Sequence, residues 1–256
     1  MDFYSAAATD AGTRRKENQD NLYVEQFVTE QGKIAFAVLC DGMGGMEHGE
    51  IASEMLVSAF YQWAKDALRG EPRLPLEEDT IRRQWTEAVA AQNEAIRTRG
   101  KEMGCVMGTT VTALLLTESR YYILNIGDSR AYELRTEVRQ LTEDHTVLAD
   151  EVRLGNISPE QARNAPMNHV LTRCVGIDPE VRPDFFAGDT KAGTVYMLCS
   201  DGFRHCVTEA EMLEALMPRN QQYITWLKEA NEFLISLNKA RGETDNISVA
   251  AIYTGQ

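Results

Sequence analysis

The chain repeats one device: an apolar run that stops at an aspartate beside glycine. Residues 34–45 read IAFAVLCDGMGG, with seven apolar residues from Ile34 to Cys40, then Asp41, then Gly42, Gly44 and Gly45. A short apolar run bounded by glycines reads as a buried strand, which puts Asp41 at the strand's open end. Glycine has no Cβ, so the backbone there can approach a neighbour closely. A carboxylate at a strand mouth suits a hard cation such as Mg²⁺ or Mn²⁺, which favours oxygen ligands. A plain tight turn explains this one run equally well. Recurrence is what changes the reading. TVYMLCSDG (194–202) ends in Asp201-Gly202, and YYILNIGDSR (121–130) in Gly127-Asp128. Asp245 stands in TDNISVAAIY just ahead of the last apolar run, and Asp20 closes DAGTRRKENQD. Five aspartates at strand ends or strand-flanking turns predict a shared site.

The rest of the chain supplies a frame for such a site. Residues 3–9, 21–28 and 33–40 read as strands, followed by a helix over about 48–68. Ile51, Met55, Ala59, Trp63 and Ala67 mark one face of it, with Leu56, Phe60, Ala64 and Leu68 alongside. EPRLPLEED breaks the pattern with two prolines. A second helix follows over about 80–99, with Ile81, Trp85, Val89, Gln92 and Ile96 inward, and both tryptophans read as core. Residues 109–117, 121–127, 130–135 and 138–141 read as strands whose short links favour antiparallel hairpins. Residues 143–180 are polar, with a helix start at Ser158-Pro159-Glu160-Gln161, and a surface insertion of that length is commonly a lid or binding loop. Strands return at 181–187 and 194–200. Thr208 and Glu211 form a capping box, a longer helix presents Tyr223, Leu227, Ala230, Leu234 and Leu237, and 247–253 is the final strand. Meandering strands with helices in two pairs point to an α+β fold of antiparallel sheets covered by helices.

Composition excludes several alternatives. The 256 residues contain no linker, low-complexity tract or fixed repeat, which predicts one domain over 1–256. Net charge is −13, from 39 acids against 26 bases, which argues against sequence-independent nucleic-acid binding. No stretch reaches the roughly 18 apolar residues of a membrane span, and the N-terminus has no signal-peptide pattern. A cytoplasmic protein without a membrane partner is therefore expected. The five cysteines contain no CxxC, and Cys40 and Cys199 read as small buried apolar residues in a reducing compartment. There is no GxxxxGK[ST] and no strand-linked GxGxxG, which disfavours a nucleotide-dependent enzyme.

Six motifs stand in one order: Asp10-x-Gly12-x-x-Arg15-x-x-Asn18-Gln19-Asp20, Asp41-Gly42-Met43-Gly44-Gly45, Gly108-Thr109-Thr110, Gly127-Asp128-Ser129-Arg130, Ser200-Asp201-Gly202 and Asp245-Asn246-Ile247. Together, over about residues 5–253, they resemble the metal-dependent Ser/Thr protein phosphatases of type 2C in their compact bacterial form. The set in order is specific; each motif alone is not. The resemblance implies a four-layer α-β-β-α sandwich of two mainly antiparallel sheets flanked by helix pairs, with 143–180 as a flap bordering the active site.

The same resemblance implies hydrolysis of phosphoserine and phosphothreonine in proteins by two Mn²⁺ or Mg²⁺ ions. Asp41 would bridge both ions. Asp201 and Asp245 would complete the first ion's protein ligands, while the Gly42 carbonyl and Asp20, directly or through water, would serve the second. Asp128 would join Asp201 at a weaker third ion. Two carboxylates about 4 Å apart repel by roughly 4 kcal/mol at an effective dielectric near 20, so cations would also balance the cluster. Ions sharing a water lower its pKa and supply a hydroxide for in-line attack on phosphorus. Arg15 would hold the substrate phosphate, because a guanidinium grips two oxygens at once. The implied catalytic set is Arg15, Asp41 and Asp201.

Met43 departs from many eukaryotic relatives, which carry histidine there. Methionine donates no proton, so the general acid falls to metal-bound water. Met46 departs from bacterial relatives in the same way. His48 reads as a solvated helix-start residue, and His145 and His169 as structural or peripheral. The implied partners are phosphorylated proteins, including targets of a bacterial-type Ser/Thr kinase and the kinase itself, with the chain a monomer. Two other readings remain at this point: a catalytically silent relative that binds phosphoproteins, and a small-molecule phosphatase on the same scaffold.

Overall fold

The structure is a computed structural model that describes residues 1–29, 32–43, 48–69, 76–163, 170–218 and 221–255. Gly44, Gly45, Met46, His169 and much of the proline-containing break lie outside the described residues. Two antiparallel five-stranded sheets form the centre. One is ordered β1 (Phe3–Asp10), β10 (Ile247–Thr254), β9 (Thr194–Cys199), β6 (Arg130–Leu134) and β7 (Val138–Gln140). The other is ordered β2 (Asp20–Thr29), β3 (Gly32–Asp41), β4 (Val111–Leu116), β5 (Arg120–Ile126) and β8 (Asp184–Asp189). Helices α1 (Gly49–Leu68) and α2 (Glu78–Met103) cover the β3 sheet; α6 (Glu209–Leu216) and α7 (Tyr223–Ala240) cover the β10 sheet.

This layering explains the uninterrupted apolar runs. Along β3, Phe36, Val38 and Cys40 pack toward α1 and α2, whereas Ala35, Ala37 and Leu39 pack against Tyr196, Leu198, Ala250 and Ile252 of the opposite sheet. Both faces of the strand are covered, so both must be apolar. Side chains alternate along a strand. The next residue in the inter-sheet series after Leu39 is Asp41. On β2 the inward series Leu22 and Val24 likewise begins at Asp20, which pairs directly opposite Asp41. The two carboxylates therefore share the rim of the space between the sheets.

The helices depart in detail from their expected faces. In α1 the deepest row is Ala52, Leu56, Phe60, Ala64 and Leu68, while Ile51, Met55, Trp63 and Ala67 pack beside it partly buried. In α2 the inward row runs through Ile81, Trp85, Val89, Asn93, Ile96 and Gly100, so Asn93 takes the place expected of Gln92. A buried amide is tolerated there because it is satisfied: Asn93 donates to the Asp178 carbonyl at 2.9 Å and accepts the Gly176 amide at 2.7 Å. Trp85 is fully buried, with Phe36, Phe60, Trp63 and Phe185 around it at centroid distances of 5.2–6.2 Å. Such aromatic pairs add about 0.5–1.5 kcal/mol each beyond their area. The capping boxes at Ser158 and Thr208 both form.

One expectation about pairing fails. The links after β4 and β6 do make hairpins, but β5 and β6 do not pair. Both edges of β5 are already taken by β4 and β8, so the three residues 127–129 carry the chain into the other sheet, where β6 pairs with β7 and β9. Strand β8 begins at Asp184 rather than 181, after Pro183, which has no amide to donate to a ladder. The polar segment 143–180 contains α3 (Val147–Arg153) and α4 (Pro159–Arg163). Among the described residues, no helix is long and apolar enough to cross a membrane.

Candidate active site

The ends of β3, β5 and β9 and the starts of β2, β6 and β10 bring together the turns that bear the aspartates. Asp41 is held through its backbone. Its amide donates to Thr110 Oγ1 at 3.0 Å, and its carbonyl accepts from the Thr110 amide and the Thr109 hydroxyl, both at 2.9 Å. Thr110 Oγ1 also meets Ser129 Oγ at 2.8 Å, linking the Asp41 turn to the Asp128 turn. Gly42 is required because a Cβ there would lie 2.4 Å from the Gly49 carbonyl oxygen and 2.6 Å from that of Gln19. What approaches its backbone is the chain itself.

The Asp245 turn is built by different residues. Glu243 accepts the Thr244 and Asp245 amides at 2.7 and 2.9 Å. Asn246 accepts the Gln19 amide at 2.9 Å and donates to the carbonyls of Ala11 and Glu17, fastening the 11–19 loop to this turn. Gly12, at φ +76°, comes so close that a Cβ would lie 1.9 Å from the Asp245 carbonyl oxygen. Arg15 lies along the Asp245 carboxylate in a bidentate pair, Nε to Oδ1 at 2.9 Å and a terminal nitrogen to Oδ2 at 2.8 Å. That bond, aided by Asp41 and Asp201, raises the Arg15 pKa.

Asp201 follows the end of β9, as the apolar run predicts, and opens a short helix, α5 (Asp201–Arg204). His205 Nε2 is 3.6 Å from Asp201 Oδ2, and His205 Nδ1 is 3.1 Å from Glu243, so one histidine spans the Asp201 and Asp245 turns. Asp128 is buried, with its Oδ2 3.8 Å from a terminal nitrogen of Arg204.

The electrostatics of this rim call for positive charge. Burial raises the Asp41 pKa well above its ordinary value, with Asp20, Asp201, Asp128 and Asp245 all adding to the rise. Asp20 is pushed up to about 7, chiefly by burial, then by Asp201 and Asp245. The Ser248 and Ser200 hydroxyls offset part of this, yet neither reaches hydrogen-bonding geometry. Both Asp20 carboxylate oxygens are buried without a partner. Asp128 also rises to about 7, through burial and Asp201, with Arg204 opposing. A buried, unpartnered carboxylate is costly, and oxygen-only ligands of this kind fit Mg²⁺ or Mn²⁺. Among the described residues, no three acidic, histidine or cysteine side chains converge on one point as a ready-made ion cage, with Asp245 turned onto Arg15 and Asp201 near His205.

Comparison with known proteins shows the family of the chain. A family model described as protein phosphatase 2C matches residues 11–239. This chain belongs to the protein phosphatase 2C family. The serine/threonine phosphatase stp of Listeria innocua is 35% identical over 248 residues, spanning 95% of this chain and 93% of that one. The solved serine/threonine phosphatase of S. agalactiae superposes with a TM-score of 0.82 at 30% identity, over 98% of this chain and 99% of that one. The catalytic domain of PstP, solved in complex with two manganese ions, gives a TM-score of 0.79 at 30% identity, over 99% of each chain.

At this rim, the motifs named on sequence include Thr109, Thr110, Ser129 and Asn246, whose bracing roles only the structure reveals. Glu243 and His205 escaped sequence reasoning altogether. The sole sequence signal for Glu243 is its place two residues before Asp245, and His205 has none. His48 pairs with Glu50 at an exposed helix start, as expected of a solvated residue. All five cysteines are free, with Cys40 and Cys199 buried.

Proposed function

We propose that this Ser/Thr protein phosphatase of the metal-dependent 2C family acts at the rim of Asp20, Asp41, Asp128, Asp201 and Asp245, with Mn²⁺ or Mg²⁺ held there. The observation that carries this reading is the facing pair Asp20 and Asp41 at the mouth of the inter-sheet space, with Asp20 buried and neither of its oxygens hydrogen-bonded. Asp41, Asp201 and Asp245 would hold one ion, and Asp41, Asp20 and the Gly42 carbonyl a second. Asp128 and Asp201 would hold a weaker third. When bound, the ions balance the carboxylates and polarise a water for attack on phosphorus. Thr109 and Thr110 keep the Asp41 backbone still, so its carboxylate meets its ligand in a fixed place. Met43 has no proton to give, so water serves the leaving alkoxide.

The substrates are phosphorylated proteins. We assign to this chain a single catalytic domain, monomeric and cytoplasmic, opposing a bacterial-type Ser/Thr kinase and acting on that kinase too; the bacterial Ser/Thr phosphatases it resembles support the phosphatase part of this reading. The net charge of −13 supports a function without nucleic acid. A phosphothreonine peptide should be hydrolysed with Mn²⁺ and spared when chelator is added, with a phosphotyrosine peptide and small phosphate esters cleaved poorly. No turnover with any metal would make the chain a silent binder of phosphoproteins. Preference for small esters would make it a small-molecule phosphatase.

Arg15 is assigned the substrate phosphate, and Asp245 fixes its position at the rim. Charge-assisted hydrogen bonds are worth about 1.5–3 kcal/mol, so Arg15→Ala should raise KM for phosphopeptides about 10- to 100-fold with the Mn²⁺ titration midpoint unmoved. The bidentate bond to Asp245 supplies the rival outcome. An unchanged KM with a shifted midpoint would make Arg15 a holder of Asp245 alone.

A further inference from the structure

His145 lies between β7 and α3, buried, and its ring is bonded at both nitrogens. The Gly127 amide donates to Nδ1 at 3.1 Å. A backbone amide can only donate, so Nδ1 bears the lone pair and the ring proton sits on Nε2. Nε2 then donates to Asp184 Oδ2 at 3.0 Å, while Arg173 Nη1, 3.3 Å from Nε2, donates to the other oxygen of Asp184 at 2.8 Å. The His145 amide in turn donates to the Gly127 carbonyl at 3.0 Å, which also accepts from Asn125 at 3.4 Å, so His145 bonds both polar groups of Gly127. Gly127 stands at φ +104° and leads directly into Asp128. Burial lowers the His145 pKa, and Arg173 adds to the effect against Asp184, which favours the neutral ring that can accept an amide.

We propose that His145 is a positioning residue for Asp128: Asp184 sets the tautomer, and the Nδ1 lone pair fixes the glycine turn from which the Asp128 carboxylate projects. The inference rests on the reading of Asp128 as part of the ion-holding rim. It also gives the polar segment around Arg173 and Asp184 a connection to that rim through the His145 ring and the Gly127 backbone. Partners one step removed from a ligand typically alter activity about 10- to 100-fold when lost.

Two amides separate the two ring nitrogens. In His145→Asn the Oδ1 stands near the place of Nδ1 and can accept the Gly127 amide. In His145→Gln the amide group stands near Nε2 and leaves Gly127 without an acceptor. The Gln variant should lower kcat about 10-fold or more at unchanged KM, and the Asn variant should recover most of that loss. Nitrogen-15 NMR of the metal-free protein should show His145 protonated at Nε2 and the Gly127 amide shifted in the Gln variant but not in the Asn variant. A ring protonated at Nδ1 overturns the proposal. So do equal losses in both variants accompanied by equal drops in melting temperature, which would mark a purely structural residue. Asp128→Ala separates the two readings. If it loses turnover while the Gln variant keeps it, the positioning role alone falls. If it keeps turnover, the rim role of Asp128 falls and the positioning role with it.

Discussion

Asp41→Asn is expected to lower kcat by about 10³-fold or more, as severe as losing a preorganised oxyanion-hole donor, while raising the melting temperature of the metal-free protein. The two effects have opposite signs for one reason. Asp41 stands directly opposite Asp20 on the neighbouring strand, and burial and four other aspartates push its pKa upward. Charge placed on Asp41 therefore meets the repulsion of Asp20, and the metal-free chain holds a proton there until the pH is high. Asparagine keeps the shape and removes that repulsion. The bonds from Thr109 and Thr110 reach the backbone of Asp41, so they survive the change. A variant both inactive and less stable would point to damage in the fold. One with normal turnover would remove Asp41 from the chemistry. Calorimetry and steady-state kinetics on the same sample decide the matter.

Metal should act on stability in a pH-dependent way. Asp20 and Asp128 titrate at about 7 in the folded chain against an ordinary 3.8, and Asp41 is raised as well. Between about pH 4 and 7 the folded state holds protons that the unfolded state has released. Stability of the metal-free protein from these groups is therefore full below about pH 4 and falls as pH rises through 7. His145, held below its ordinary value, works the other way but is one group against three. Bound cations stabilise the ionised carboxylates and cancel the fall. At a thousandfold excess over Kd the gain is about 4 kcal/mol, or about 10 °C in Tm for a chain of this size. The shift on adding Mn²⁺ should be largest near pH 8 and shrink toward pH 5. Thermal melts with Mn²⁺ or chelator test this, and a metal-free protein that gains stability from pH 5 to pH 8 would contradict it.

The aspartates were legible because a strand's period of two and its abrupt end are local facts. Ile34 to Cys40 announces a strand covered on both faces, and Asp41 follows as the first residue that cannot be core. Pairing across β5 and β6 was not legible, since a three-residue link looks the same whether its strands pair or part. Only the competition of β4 and β8 for the edges of β5 settles it, and β8 lies some sixty residues away in sequence. The inward row of α2 was read nearly correctly, but a polar side chain at Asn93 hides its burial until the Gly176 and Asp178 backbone is in place. Glu243 and His205 were invisible for a related reason. Each works through bonds to residues that are distant in sequence or to backbone amides, and neither leaves a pattern in spacing.

The placement of β10 between β1 and β9 has a consequence for biosynthesis. Arg15 and Asp245 meet across 230 positions, and the 11–19 loop is fastened by Asn246. A nascent chain on the ribosome can assemble β2 through β5 with their helices early, since those elements follow one another closely. It cannot seat β1 or close the rim until residues 247–254 have emerged. Contacts of such long range slow folding, and the fifth aspartate, Asp245, joins the other four only when β10 is seated. If the rim is where phosphate is cleaved, a chain cut before residue 247 should keep the β2–β5 pairing yet lack turnover.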